Sequence, residues 1–129
     1  EGVFPLRRVL FRADRVARPV TSLPVAPICP RDGWCDAPGD PAYNRAVRLP
    51  FAASHERLTR RDHLYDIVTV LGHNDDPVVP GAGSAIFMHV ARPDFGPTLG
   101  CIALAEDDLR TVLAGVTRAT TIRILGGGR

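Results

Sequence analysis

The chain has no lysine. All sixteen of its basic residues are arginine, set against fourteen aspartates and glutamates, for a net charge of +2. That charge is too small and too scattered to form the basic patch that nucleic acid requires. Aromatic residues make up only 6% of the chain, and no basic stripe interleaved with aromatics suggests an RNA platform. No run of eighteen apolar residues occurs, which excludes a transmembrane helix read from hydropathy. No signal peptide is visible. The chain opens Glu1-Gly2-Val3-Phe4-Pro5, which reads as the interior of a longer sequence, so the missing leader says nothing about location. Cysteine is scarce and odd in number, at three. Cys29 and Cys35 lie six residues apart in a loop-like run, and two readings stand: a disulfide in an oxidising compartment, or three free thiols. Either way Cys101 is left with no cysteine partner.

What is present is ordinary for a globular fold. The 129 residues predict one domain, residues 1–129, with enough buried surface for a core. Twelve prolines and twelve glycines predict many turns and short elements. Residues 4–12, "FPLRRVLFR", read as a strand, and 19–42 as a long irregular segment. A short strand is expected over 45–50. Residues 54–62, "SHERLTRRD", read as a short helix with a serine cap and Glu56 and Arg60 four apart. The run Ile67-Val68-Thr69-Val70-Leu71 predicts a buried strand ending at Gly72. A second strand over 84–91 alternates, with Ala85, Phe87 and His89 on one face and Ile86, Met88 and Val90 on the other. Residues 105–116 carry helical spacing at Leu109, Val112, Leu113 and Val116, with Glu106, Asp107 and Asp108 at the N-terminus. "TTIRIL" predicts a last strand. The whole reads as mainly β, a β-sandwich or open barrel with one or two packed helices.

The chemistry gathers at "PTLGC", residues 97–101. A thiol attacks as the thiolate and is mostly protonated at neutral pH, so a nucleophilic cysteine needs a base or cation nearby. His89 ends a buried strand, and a loop returns the chain from it to Cys101. Gly100 removes a side chain beside the thiol, which lets a substrate carbonyl approach backbone N–H groups able to hold an oxyanion. The helix that begins near Ala105 is expected to favour negative charge on the sulfur if its axis aligns. The plain alternative is a small buried thiol and a core histidine.

The segment "HNDDPVVPGAGSAIFMHVARPDFGPTLGCIALAEDDL" resembles the catalytic segment of the L,D-transpeptidase catalytic-domain (YkuD-like) family. The family signature is a histidine, a spacer, then Ser/Thr-x-Gly-Cys and an aliphatic residue. His89 matches the histidine, Thr98, Gly100 and Cys101 the block, and Ile102 the aliphatic position. "GSAIFMH", "GVFPLRRVLFR" and "DGWCDAPGDPAYN" extend the likeness to the short proteobacterial branch, over most of the chain. The resemblance implies a fold of the L,D-transpeptidase type, with further sequence before Glu1. It implies a periplasmic or cell-envelope enzyme that acts on peptidoglycan stem peptides, is open to carbapenem-type inhibitors and needs no cofactor or metal. Cys101 would form a thioester with release of D-alanine, and an amine acceptor would resolve it. His89 would be the base, and Gly100 and Cys101 N–H groups part of the oxyanion hole. The alternatives are an L,D-carboxypeptidase or endopeptidase with the same acyl-enzyme, or a catalytically silent peptidoglycan-binding domain. Leu99 stands where many members have histidine. Ala103 stands where many have an arginine tied to organising the site, which leaves Arg92 as a substitute cation or a solvated loop residue.

Other residues fill in the expected substrate side. His73 ends a neighbouring strand and is expected to line the cleft. Ser84 either orients His89 or starts a strand. Trp34 lies with Asp36, Tyr43 and Asn44 in the irregular segment and either walls the cleft or pins a loop. "HNDD", residues 73–76, matches no closed zinc pattern and reads as a turn with an Asx contact. Glu56, His55, His63 and Asp66 read as surface or helix-end charges.

Overall fold

The computed structural model describes residues 2–75, 77–84, 86–92 and 101–124. The described elements are nine strands and one helix: β1 (Gly2–Phe11), β2 (Val25–Pro27), β3 (Asp32–Cys35), β4 (Ala46–Arg48), β5 (His55–Arg57), β6 (Ile67–Leu71), β7 (Phe87–Val90), β8 (Ile102–Leu104), α1 (Glu106–Gly115) and β9 (Thr121–Ile124). The mainly β architecture with a packed helix agrees with the expectation from the sequence.

β1 organises the larger sheet. Its first half pairs with β9 and its second half with β6 and β2. The order β2-β1-β6-β7-β8 puts the two apolar strands, β6 and β7, at the centre, each buried throughout. A register shift between Leu6 and Arg8 lets Arg7 reach out and grip Asp75 through two hydrogen bonds of 3.0 and 3.1 Å. β7 and β8 run parallel, with Met88 opposite Ile102 and His89 opposite Ala103. A smaller sheet, β4-β3-β5, comes from the Pro/Gly-rich first half of the chain.

The pleat divides the core between the two faces of the larger sheet. On one face Leu6, Val9, Ile67, Met88 and Val90 meet Leu109, Leu113 and Val116 of the helical segment. On the other Leu10, Val68, Val70 and Phe87 meet Trp34 of β3 together with Leu58, Leu64 and Tyr65. The alternation expected for 84–91 is therefore realised at Phe87, Met88 and Val90.

Two expectations need correction. Residues 55–57 form a strand rather than a helix, because Glu56 pairs opposite Trp34 and His55 opposite Cys35. The long irregular segment 19–42 contains β2 and β3, each only three or four residues. Between Cys101 and α1, in a stretch with no assignment from the sequence, lies a short strand, β8. Cys29 is exposed and Cys35 buried, and both are free thiols.

Candidate active site

His89 sits on β7 in the middle of the apolar core and is only 3% exposed. A buried imidazole must satisfy its polar atoms. Its Nδ1 lies 2.9 Å from the carbonyl oxygen of Val90. The carbonyl can only accept, so Nδ1 carries the proton and Nε2 is left as the basic nitrogen. Burial disfavours the imidazolium and pushes the His89 pKa below its usual 6.5. The Val90 carbonyl acts against this, and the charges of Arg60 and Arg92 add to it.

Cys101 directly precedes β8. The β7–β8 register aligns Met88 with Ile102, and residues paired in a parallel ladder share a face. One step back along both strands, Cys101 therefore falls on the face of Phe87 and His89. Its packing agrees: Cys101 lies against the Phe87 and Tyr65 cluster, whereas Ile102 and Leu104 lie against the helix-side cluster. The thiol is half-buried, and desolvation raises its pKa. A backbone hydrogen bond from Phe87 works in the other direction, and the Glu56 carboxylate raises it further. At neutral pH the resting pair is a thiol and a neutral imidazole. Cys101 and His89 share one face of the sheet, two residues apart in register.

Around them stands a shell that the sequence did not disclose. The Tyr65 ring meets His89 edge-on at 5.6 Å between centroids and Phe87 at 5.7 Å. Its hydroxyl donates a short hydrogen bond to Glu56 Oε1. Burial, followed by that bond, raises the Tyr65 pKa, so the phenol stays protonated. Arg60 lies over the Tyr65 ring, 5.1 Å from its centre. Two hydrogen bonds of 2.8 and 2.6 Å join Arg60 to Asp62 and hold the Asp62 carboxyl down at about 2. Glu56 and Arg60 were expected on a helix surface, and Tyr65 merely at the start of a strand. No spacing rule reveals this grouping, because it depends on β5 crossing to β3.

The remaining expected residues separate. Trp34 is buried, donates to Asn44 Oδ1 at 3.1 Å and packs edge-on against Phe87 at 5.3 Å, so it supports the floor beneath the thiol. His73 belongs to a turn. Its ring meets Phe4, and Nε2 lies 3.2 Å from the Ala82 carbonyl. Among the described residues none of its hydrogen bonds or ring contacts reaches His89 or Cys101. Gly83, with φ +117°, lets that turn close: a Cβ there would meet His73 Nε2 at 2.6 Å. Ser84 is half-buried ahead of β7, and the imidazole is oriented by Val90 instead. Arg92 is exposed, and its charge is felt at both His89 and Asp62. Thr98, Leu99 and Gly100 lie outside the described residues. Residues 73–75 of the "HNDD" run bend as expected, with the Asx contact at Asn74, and Asp76 lies outside the described residues. Asn74 adopts φ 52°, its Oδ1 accepts the Val79 N–H at 2.8 Å, and Asp75 serves Arg7. Asn44 ties that turn to β3 by donating to the carbonyls of His73 and Asn74. Asp66, expected at the surface, is buried and bound by Arg15 and His63. The expected influence of the helix on the sulfur is not met. β8 separates them by roughly 10 Å of extended chain, α1 packs on the opposite face, and the field of a helix end fades within its first turn.

The family model described as YkuD, the L,D-transpeptidase catalytic domain, matches residues 1–124. No curated protein and no solved structure matches the chain.

Proposed function

The chain belongs to the L,D-transpeptidase catalytic-domain family, and from that premise we propose that it is a cysteine acyltransferase of peptidoglycan stem tetrapeptides. The observation that carries this reading is the shared face of Cys101 and His89, given by the β7–β8 register, with Nδ1 of the imidazole already committed to Val90.

The chemistry starts from the neutral pair. Cys101 Sγ attacks the carbonyl of the third stem residue while His89 Nε2 takes the thiol proton. Proton transfer and attack are coupled, because burial makes a standing thiolate–imidazolium pair costly. Backbone N–H groups at Gly100 and Cys101 receive the oxyanion. The C–N bond to the terminal D-alanine breaks, and the imidazolium returns its proton to the leaving amine. An amine of a second stem then attacks the thioester, again losing its proton to His89, and the thiol is regenerated. The atoms balance without metal or cofactor. Thr98, Arg92 and the wall carried by Trp34 contribute to holding the stem, and the domain spanning 1–129 works in the cell envelope. Among the described residues no helix is long and apolar enough to cross a membrane.

The test is intact-mass detection after incubation with a disaccharide-tetrapeptide or a carbapenem. A thioester or an adduct of the intact drug on Cys101 is expected, and it should vanish in Cys101→Ala. Crosslinked dimers among the products mark transfer, and tripeptide alone marks hydrolysis through the same acyl-enzyme. Binding to sacculi that survives Cys101→Ala, with no adduct and no product from the unaltered protein, overturns the enzymatic reading.

A further inference from the structure

Glu56 is a half-buried carboxylate that the acyl-transfer chemistry leaves without a task. It reaches the site from the smaller sheet, where its register opposite Trp34 on β3 fixes its backbone. Its side chain binds the hydroxyl of Tyr65, whose ring is 6% exposed, or nearly enclosed. That ring in turn abuts the His89 imidazole at 62°. We propose that Glu56 and Tyr65 are a positioning pair for the nucleophile couple: the carboxylate fixes the phenol, and the phenol ring fixes the imidazole beside Cys101. The proposal rests on the acyl-transfer reading of that couple.

Three features argue for positioning rather than simple packing. The Tyr65 ring is held from several sides: Arg60 covers a face, Phe87 and His89 meet it edge-on, and Glu56 anchors its tip. Among the described residues the imidazole is held by one hydrogen bond, at Nδ1, about which it can still tilt, and a rigid neighbour removes the freedom. The carboxylate is also more than an anchor. The charged groups felt at the imidazole are Glu56 from β5, Arg60 from the segment after it and Arg92 from the end of β7. Asp62 ties up Arg60. Glu56 is the negative member of that set, and it raises both the imidazole and the thiol. It therefore discourages an early thiolate and keeps the resting thiol protonated until a substrate carbonyl is in place.

Four proteins separate the possibilities: the unaltered chain, Tyr65→Phe, Glu56→Asp and Glu56→Gln. Tyr65→Phe keeps the ring and loses the anchor. Glu56→Asp keeps the charge but shortens the reach. Both are expected to lower kcat for tetrapeptide acylation about tenfold, the equivalent of roughly 1.4 kcal/mol in the barrier, with KM changed by no more than about twofold. Glu56→Gln keeps an acceptor for the phenol and loses the charge. It is expected to lower the imidazole titration of His89, followed by NMR, and to shift the acid limb of the rate profile to lower pH. Tyr65→Phe should leave that limb in place. Wild-type kcat in Tyr65→Phe and Glu56→Asp overturns the proposal, as does an unmoved His89 titration in Glu56→Gln. Should the unaltered chain form no acyl-enzyme, the acyl-transfer reading falls instead, and the NMR titration still decides whether Glu56 acts on His89.

Discussion

A proton on Nδ1 is the smallest feature on which the proposed chemistry depends. Because the Val90 carbonyl holds it, Nε2 is ready to accept from the thiol without a tautomer change. Burial lowers the pKa of the imidazole and raises that of the thiol. Acylation should then rise with pH through an acid limb lying below 6.5 and stay level across neutrality, as measured by stopped-flow carbapenem acylation. A limb above 6.5 would contradict the burial argument. The same shift bears on stability. Below pH 6.5 the unfolded chain binds a proton at this position that the folded chain refuses. Stability is therefore full above that value and is lost as pH falls through the window down to the lowered folded pKa. Thr69 is the second residue of interest. It is completely buried on β6, and among the described residues its Oγ1 has no hydrogen-bond partner. An unsatisfied buried hydroxyl costs about 1–3 kcal/mol. Thr69→Val keeps the shape and the β-branched backbone preference, so it should stabilise the fold by about 1 kcal/mol in urea titration.

Elements show where the sequence was legible and where it was not. β6 and β7 could be read because each is a β-branched or apolar run whose fate is set by its own side chains. The face division of β7 followed from the two-residue period alone, and it already put His89 with Phe87. α1 was equally plain: Leu109 and Leu113 are its buried positions, and three acids complement its N-terminus. β5 failed for a physical reason. Ser54, Glu56 and Arg60 satisfy the local rules for a helix, but a cap and one i,i+4 pair are together worth only about 1–2 kcal/mol. Pairing with β3, together with the complete burial of Leu58, outweighs them. β8 is three residues long and shows no period to read. The candidate site was legible to the same degree. Cys101 and His89 stood out as candidates in their own sequence context, and the β7–β8 register puts them on one face. Glu56, Arg60 and Tyr65 were missed because they meet only after the smaller sheet docks.

At the scale of the molecule, the larger sheet separates two tasks. Its helix face is dry packing, with Leu109 and Leu113 fully buried. Its other face carries Phe87, His89 and Cys101 and is completed by the smaller sheet. Mutations on the two faces should therefore behave differently. Leu113→Ala opens a cavity on the helix side and should cost about 2–5 kcal/mol of stability. Measured at a temperature where it is still folded, however, its Cys101 acylation rate should stay within about twofold of the unaltered chain, since no side chain near the sulfur moves. Trp34→Leu acts through the opposite face. It removes the edge-on contact with Phe87 and leaves Asn44 Oδ1 without its indole donor. Asn44 is what ties the 73–74 turn to β3. The loss should therefore loosen the floor under the thiol and the docking of the sheet that carries Glu56, lowering stability and acylation rate together. Thermal melts and acylation rates measured on both variants check this division. If Leu113→Ala slows the chemistry as much as Trp34→Leu at equal stability loss, the two faces are one mechanical unit and the sheet is not the partition described.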